Sequence, residues 1–186
     1  MMIKNIAVVG LGRMGGGIAG NLAKDPRFSL TVFARTAATM ARYVALGAKS
    51  ASSGGAAVQG ADLIITCLPR PEVVRAVMQS ALAHSPEGSI WMDTSTIDPG
   101  TAQELETLVQ SSGRHFVACP LGKGPAQADS GELPLFVGCD QALLEPLSPV
   151  FECIGENVHY LGTPAAAYMF KLASNMIGMT NLAVLA

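Results

Sequence analysis

A lysine and an asparagine four residues apart, Lys171 and Asn175, stand in a stretch of otherwise mostly apolar and small side chains. On a helix this spacing places both on one face, with Gly178 a turn further along. A lysine stripped of water has its pKa lowered toward neutrality, which suits it to exchange a proton with a hydroxyl or carbonyl oxygen. Asn175 is then placed to hold either the amine or the oxygen it serves. The same pattern also fits a lysine whose stem lines an apolar helix while its amine reaches water.

The second chemical signal is the run Val8-Val9-Gly10-Leu11-Gly12-Arg13-Met14-Gly15, which directly follows the apolar stretch starting at Ile3. Strand, G-x-G-x-x-G, helix is the order that cradles a dinucleotide pyrophosphate. Gly10 permits the tight turn, Gly12 lets the backbone approach the phosphates, and Gly15 lets the helix pack close to the strand. Leu11, Arg13 and Met14 complete the cofactor-facing turn, where the helix start offers free N–H groups and partial positive charge. A glycine turn can also serve packing alone. About 20 residues on, where a carboxylate would bind ribose hydroxyls, the chain reads Val32-Phe33-Ala34-Arg35-Thr36. Arg35 and Thr36 suit a 2′-phosphate, so NADP is favoured over NAD, although a solvated surface arginine fits Arg35 too.

These groups need a scaffold, and the rest of the chain predicts one. β-type runs at Ile3–Val9, Ser29–Phe33, Asp62–Leu68, Ser89–Asp93, His115–Cys119, Leu133–Val137 and Asn157–Leu161 alternate with helical patterns at Met14–Ala23, Ala37–Leu46, Pro71–Leu82 and Pro99–Ser111. Asp98 is the expected N-cap of the last of these. Such alternation implies an α/β fold, a doubly wound, mostly parallel, Rossmann-like sheet. Residues 1–163 are expected to form this domain, and 164–186 the beginning of a long interdomain helix. That last segment holds a single charge, Lys171, but too many polar groups for an isolated membrane span. Its pattern reaches the final residue without a stop signal, so the chain is expected to be cut short.

Composition narrows the function classes. Of 186 residues, 49% are apolar and 14% charged, with a net charge of −2, which fits neither nucleic acid nor an anionic membrane surface as partner. Cys67, Cys119, Cys139 and Cys153 are widely spaced and form no C-x-x-C pair, which argues against a metal site and for a reducing cytoplasm.

Three loops fall where strands end. Cys67-Leu68-Pro69-Arg70-Pro71 has prolines that stiffen a turn able to wall a nicotinamide ribose, or that simply punctuate a strand–helix junction. Asp93-Thr94-Ser95-Thr96-Ile97-Asp98-Pro99 offers hydroxyls to cofactor and substrate, or caps for the next helix. Gly122-Lys123-Gly124 offers backbone N–H groups and a cation to an acid group, or is an ordinary connection.

Taken in order, Gly10–Gly15, Leu68-Pro69, Asp93–Pro99, the loop from Cys119 to Ala128, Gly131-Glu132-Leu133 and Lys171-x-x-x-Asn175 resemble the β-hydroxyacid dehydrogenases, a family that includes 3-hydroxyisobutyrate dehydrogenases and semialdehyde reductases. The resemblance implies a cofactor domain followed by a helical domain that completes the site and a homodimer. It implies Lys171 as acid/base and Asn175 as its substrate-side partner. Thr96 and Leu68-Pro69 would contact the cofactor. Ser95 and the Gly122–Gly124 loop would contact a small hydroxyacid or semialdehyde. The family's Pro-Val-Ser-Gly-Gly reads Pro120-Leu121-Gly122-Lys123-Gly124 here, which puts the usual carboxylate contact in question. The alternatives are an imine-reductase-like enzyme, disfavoured by Lys171, and a non-catalytic cofactor-binding or dimerisation module.

Overall fold

The computed structural model describes residues 2–185. β1 (Asn5–Val9) passes through the glycine turn into α1 (Arg13–Lys24), followed by β2 (Ser29–Phe33), α2 (Ala37–Val44), β3 (Lys49–Ser50) and α3 (Gly54–Val58). The second half adds β4 (Leu63–Thr66), α4 (Pro71–Ala81), β5 (Ile90–Asp93), α5 (Pro99–Ser111) and β6 (His115–Ala118). After these come α6 (Pro125–Ser130), β7 (Leu133–Val137), α7 (Leu144–Ile154), β8 (Gly155–Tyr160) and α8 (Pro164–Leu185).

Six strands form one sheet in the order β3-β2-β1-β4-β5-β6, and every pair in it is parallel. β7 and β8 form a separate parallel pair, joined to the main sheet region by antiparallel bridges at Ala118–Gly138 and Leu121–Leu135. The fold is the Rossmann-like α/β architecture expected, with the last two strands set apart from the main sheet.

The strands are apolar at successive positions because both faces are covered. Ile6, Val8, Leu63, Ile65, Ile90 and Met92 enter the core shared with α1, α2 and α7. Ala7, Val9, Ile64 and Trp91 point the other way, toward α3, α4, α5 and the start of α8. Helix starts follow local chemistry. Asp98 Oδ1 accepts the Thr101 N–H at 2.9 Å, and Pro71 and Pro99 occupy first-turn positions, where no N–H is needed.

Four elements were not anticipated. β3 is two exposed residues, and α3 and α6 are short helices in glycine-rich stretches. α7 carries Pro149 inside it, a residue that argues against a helix in sequence.

On α8 the buried residues are Pro164, Ala167, Tyr168 and Lys171, a stripe at helical spacing that stops at the lysine. From Leu172 to Leu185 every residue is exposed, among them Met176, Ile177, Met179 and Leu182. Among the described residues, no helix is long and apolar enough to cross a membrane. Ala186, the end of the expected interdomain helix, lies outside the described residues.

Candidate functional site

The chain order reverses between β1 and β4, so the loops after these strands diverge and leave a crevice at their carboxyl ends. The glycine turn, the loop after β4 and the loop after β5 all reach this edge. Gly10 has φ +100°, and a Cβ there would lie 2.3 Å from the Cys67 carbonyl oxygen. A Cβ on Gly15 would lie 2.1 Å from the Gly10 carbonyl oxygen, so these two glycines let turn, helix and neighbouring strand pack together. Gly12 is different, because a Cβ there would meet nothing within 4 Å.

Gly12 is the N-cap of α1, and it brings no side-chain acceptor to the helix N–H groups; the first turn also lacks an acidic residue. Open space above uncapped donors at a helix start is what a pyrophosphate requires. The residues present therefore fit a dinucleotide.

Leu11, Gly12 and Arg13 also line an open cleft of about 630 Å³, closed by Ala38, Thr39, Arg42 and Tyr43 of α2 and by Pro125 and Asp129. The Arg42 guanidinium lies over the Tyr43 ring, 4.6 Å from its centre. Sequence reasoning passed over Arg42. The available signal was a second basic residue on the helix that follows the expected phosphate-reading position. Arg35 and Thr36 lie exposed at the end of β2, and Thr36 Oγ1 is 2.6 Å from Thr39 Oγ1. Met14 is half-buried, facing the core of the α1 side.

The loop after β5 is organised by Asp93, which is fully buried. Thr66 Oγ1 and Ser95 Oγ donate to its Oδ1 at 2.6 and 2.7 Å, and Tyr168 OH donates to its Oδ2 at 2.5 Å. Burial pushes this carboxyl above its ordinary range, against the pull of the three hydroxyl donors. Ser95, expected on the substrate, is 3% exposed, and its oxygen also accepts the Leu68 N–H at 2.9 Å. That hydroxyl is committed to bracing two loops. Pro69 and Thr96 are exposed beside it, and Leu68 is half-buried. Asp93 and Tyr168 were not singled out from sequence, where one read as part of a hydroxyl-rich loop and the other as an aromatic in an apolar helix.

Lys171 lies one turn past Tyr168 and is 8% exposed. Burial lowers its pKa from the ordinary 10.5, and no carboxylate offsets this. Tyr168, one turn before Lys171, is tied to Asp93 at the carboxyl end of β5, a strand end two strands and roughly 10 Å from that of β1 at the usual strand spacing. Asn175 is on the exposed part of the same helix.

The Gly122–Gly124 loop departs from expectation. The Gly122 N–H donates to the Pro134 carbonyl at 2.7 Å, and the Gly124 N–H donates to Gln127 Oε1 at 3.3 Å. Two of the backbone donors assigned to an acid group are thus engaged within the protein. The Lys123 amine makes an exposed ion pair with Glu156 at 2.5 Å, so its charge is partnered as well. Lys123 itself has φ +56°, a left-handed conformation that glycine adopts at no steric cost.

Among the described residues no group of three or more His, Cys, Asp or Glu side chains could hold a metal ion, and all four cysteines are free.

Residues 5–162 match the family described as the NAD-binding domain of 6-phosphogluconate dehydrogenase. An NAD-dependent L-serine dehydrogenase of Pseudomonas aeruginosa is 35% identical over 94% of this chain, which spans 59% of that relative. A 3-hydroxyisobutyrate dehydrogenase of Mycobacterium tuberculosis, solved with L-serine, superposes with a TM-score of 0.90 at 30% identity, over 95% of this chain and 60% of that one. An imine reductase of Streptomyces aurantiacus shares the fold, with a TM-score of 0.85 at 23% identity over 97% of this chain and 64% of that one. The chain therefore spans about 60% of the length of the relatives it matches.

Proposed function

Because this chain belongs to the family of the NAD-binding domain of 6-phosphogluconate dehydrogenase, we propose that it forms the cofactor-holding part of an NADP-preferring oxidoreductase. Its reaction interconverts a small β-hydroxyacid and the corresponding semialdehyde or keto acid. The similarity to serine and 3-hydroxyisobutyrate dehydrogenases supports that substrate class. A single observation carries the reading. The buried stripe of α8 ends on Lys171 at the same sheet edge as the glycine turn, joined to that edge by the hydrogen bond from Tyr168 to Asp93.

The nicotinamide, when bound, supplies or accepts a hydride. The uncapped N–H groups of the Gly12–Gly15 turn hold the pyrophosphate, and Leu11 and Met14 shape that turn. Arg35 and Thr36 meet the 2′-phosphate, with Arg13 beside the same phosphates. Leu68, Pro69 and Thr96 flank the nicotinamide end. In the reducing direction the Lys171 ammonium gives a proton to the carbonyl oxygen; in the oxidising direction its free amine takes the proton from the hydroxyl. Partial burial serves both steps, because it brings the two protonation states closer in energy near neutral pH.

Asn175 orients the same oxygen. The Lys123 amine meets the acid group once its Glu156 ion pair opens, while the Gly122 and Gly124 N–H groups stay engaged with Pro134 and Gln127, and Ser95 acts on the site through the loops it braces. The exposed apolar face of α8 beyond Leu172 is where a following helical segment and a second copy pack, giving a homodimer. A cytoplasmic location goes with the four free cysteines.

The test is NADPH oxidation over a panel of semialdehydes, keto acids and cyclic imines, alongside NADPH binding. Lys171→Ala is expected to abolish turnover and leave NADPH affinity within about twofold. Wild-type turnover by that variant refutes the assigned role. Preference for cyclic imines favours an imine-reductase-like enzyme, and tight NADPH binding without oxidation of any of these compounds by a protein of the relatives' full length favours a non-catalytic module.

A further inference from the structure

The Asp93 network takes no part in that chemistry, yet it joins the two halves of the site. Its carboxyl group is fully buried and meets three hydroxyl donors and no cation: Thr66 from β4, Ser95 from the loop after β5, which also offers its backbone N–H, and Tyr168 from α8. A buried acid without a cation is a costly feature in a core that apolar residues would fill more cheaply. What it gives in return is connection. Ser95 Oγ carries the link onward to the backbone N–H of Leu68, in the loop after β4.

Tyr168 contributes the α8 end of this chain of bonds. It is the one side chain of α8, among the described residues, that hydrogen-bonds to another element, donating to Asp93 Oδ2 at 2.5 Å and lying 3.2 Å from the Asp93 carbonyl oxygen. Its ring packs in the core with Ala167, Trp91 and Phe116, so the apolar fit alone would be met by phenylalanine. Lys171 follows it by three residues, about 4.5 Å along the helix axis and on the same face.

We infer that Tyr168 is a positioning residue whose hydroxyl, through Asp93 and Ser95, couples the helix that carries Lys171 to the Leu68-Pro69 loop. This rests on the proposal that the glycine-turn crevice binds NADPH and that Lys171 is the acid/base. Ordering the Leu68-Pro69 loop on the cofactor then fixes where the lysine stands. By thermodynamic reciprocity, loosening α8 weakens the cofactor. Tyr168 itself is fully buried, with no surface open to a ligand.

The experiment compares the wild-type chain with Tyr168→Phe and Ser95→Ala, which cut the same chain of bonds at opposite ends. NADPH affinity is measured by fluorescence titration. The Lys171 amine is followed by NMR of reductively ¹³C-methylated protein, its signal assigned with a Lys171→Arg variant. In the wild type the Lys171 signal moves when NADPH saturates the protein. Both variants are expected to raise the NADPH Kd by about fivefold or more, and to leave the Lys171 signal near its cofactor-free position.

A purely structural role lowers the melting temperature but leaves affinity and the lysine response intact, and that result overturns the inference. Should Tyr168→Phe fail to fold, Ser95→Ala decides by the same two readouts. Failure of the wild type to bind NADPH or NADH overturns the cofactor reading, and the inference falls with it.

Discussion

Replacing Gly12 by alanine should separate cofactor binding from folding, because the structure gives a methyl group there room but no neighbour. Gly12 has φ −69° and ψ −167°, which alanine adopts without strain, and its Cβ would meet nothing within 4 Å. Restricting the unfolded chain favours alanine by about 0.4–1 kcal/mol. Loss of glycine at an N-cap costs roughly several tenths. The two nearly cancel, and at about 2–4 °C per kcal/mol for a chain of this size the melting temperature should move by less than about 2 °C.

Gly15→Ala is the control for packing. Its Cβ would lie 2.1 Å from the Gly10 carbonyl oxygen and 2.8 Å from Cys67 Cβ, so backbone must move. Overpacking of this kind costs about 1–3 kcal/mol, or roughly 2–12 °C of melting temperature. NADPH at a hundred times its Kd stabilises the wild type by about 2.7 kcal/mol, roughly 5–11 °C on the same scale. The assay is thermal unfolding of each protein with and without NADPH. Gly12→Ala should melt like the wild type alone and lose nearly all of the NADPH-induced rise. A full rise in Gly12→Ala would mean that the open space over the turn is not where the phosphates lie, and the reasoning would be wrong.

Lys171→Met should stabilise the fold at neutral pH, because it removes a partly buried charge that no carboxylate offsets. Below the lowered folded pKa both folded and unfolded lysine are protonated, and the burial penalty is felt in full. Between the lowered folded pKa and the ordinary 10.5 the unfolded chain binds more protons than the folded one, so wild-type stability gains with pH across that window. Melting curves of both proteins from pH 7 to 10.5 should therefore converge as pH rises, and a constant gap would show that the amine is not desolvated. Arg35→Ala should weaken NADPH by about tenfold or more, the scale of a lost hydrogen bond to a charged group. NADH affinity should hardly change, and equal losses for the two cofactors in parallel titrations would reject the 2′-phosphate contact.

The main sheet was legible because parallel strands covered on both faces must be apolar at consecutive positions, and β1, β4 and β5 show this. β3 escaped because Lys49 and Ser50 are both exposed and carry no apolar pattern. α7 escaped because Pro146 and Pro149 argue against a helix locally, whereas the buried positions Leu147, Val150, Phe151 and Ile154 impose one. This is tertiary burial overriding propensity. In the glycine turn Gly10 and Gly15 were readable, since each answers a separate steric demand within the fold, whereas the space over Gly12 meets no neighbour in the protein. Gly122 was not readable, because Pro134, which takes up its N–H, is remote in sequence; for Gly124 the local signal was Gln127 three residues on, the N3 position of a capping box.

The hydroxyl-rich loop after β5 shows why site chemistry is harder to read than site location. From sequence, Thr94, Ser95 and Thr96 are equal candidates to face a ligand. The structure divides them according to the needs of two buried acceptors, the Asp93 carboxylate and the Thr66 carbonyl. Asp93 ends a central strand, so it is buried by its neighbours on both sides, and each of its oxygens must find a donor within the protein. Ser95 turns inward to supply one, and Thr94 turns inward to bond the Thr66 carbonyl at 2.8 Å. Thr96 alone remains exposed. The buried acid thus draws in Ser95, a buried backbone carbonyl draws in Thr94, and Thr96 is left free for a ligand. By that logic Thr96→Ala should lower cofactor affinity with little change in melting temperature, whereas Ser95→Ala should lower both; the reverse pattern, measured by the same titration and melting curves, would show that the loop is oriented by its ligand and not by Asp93.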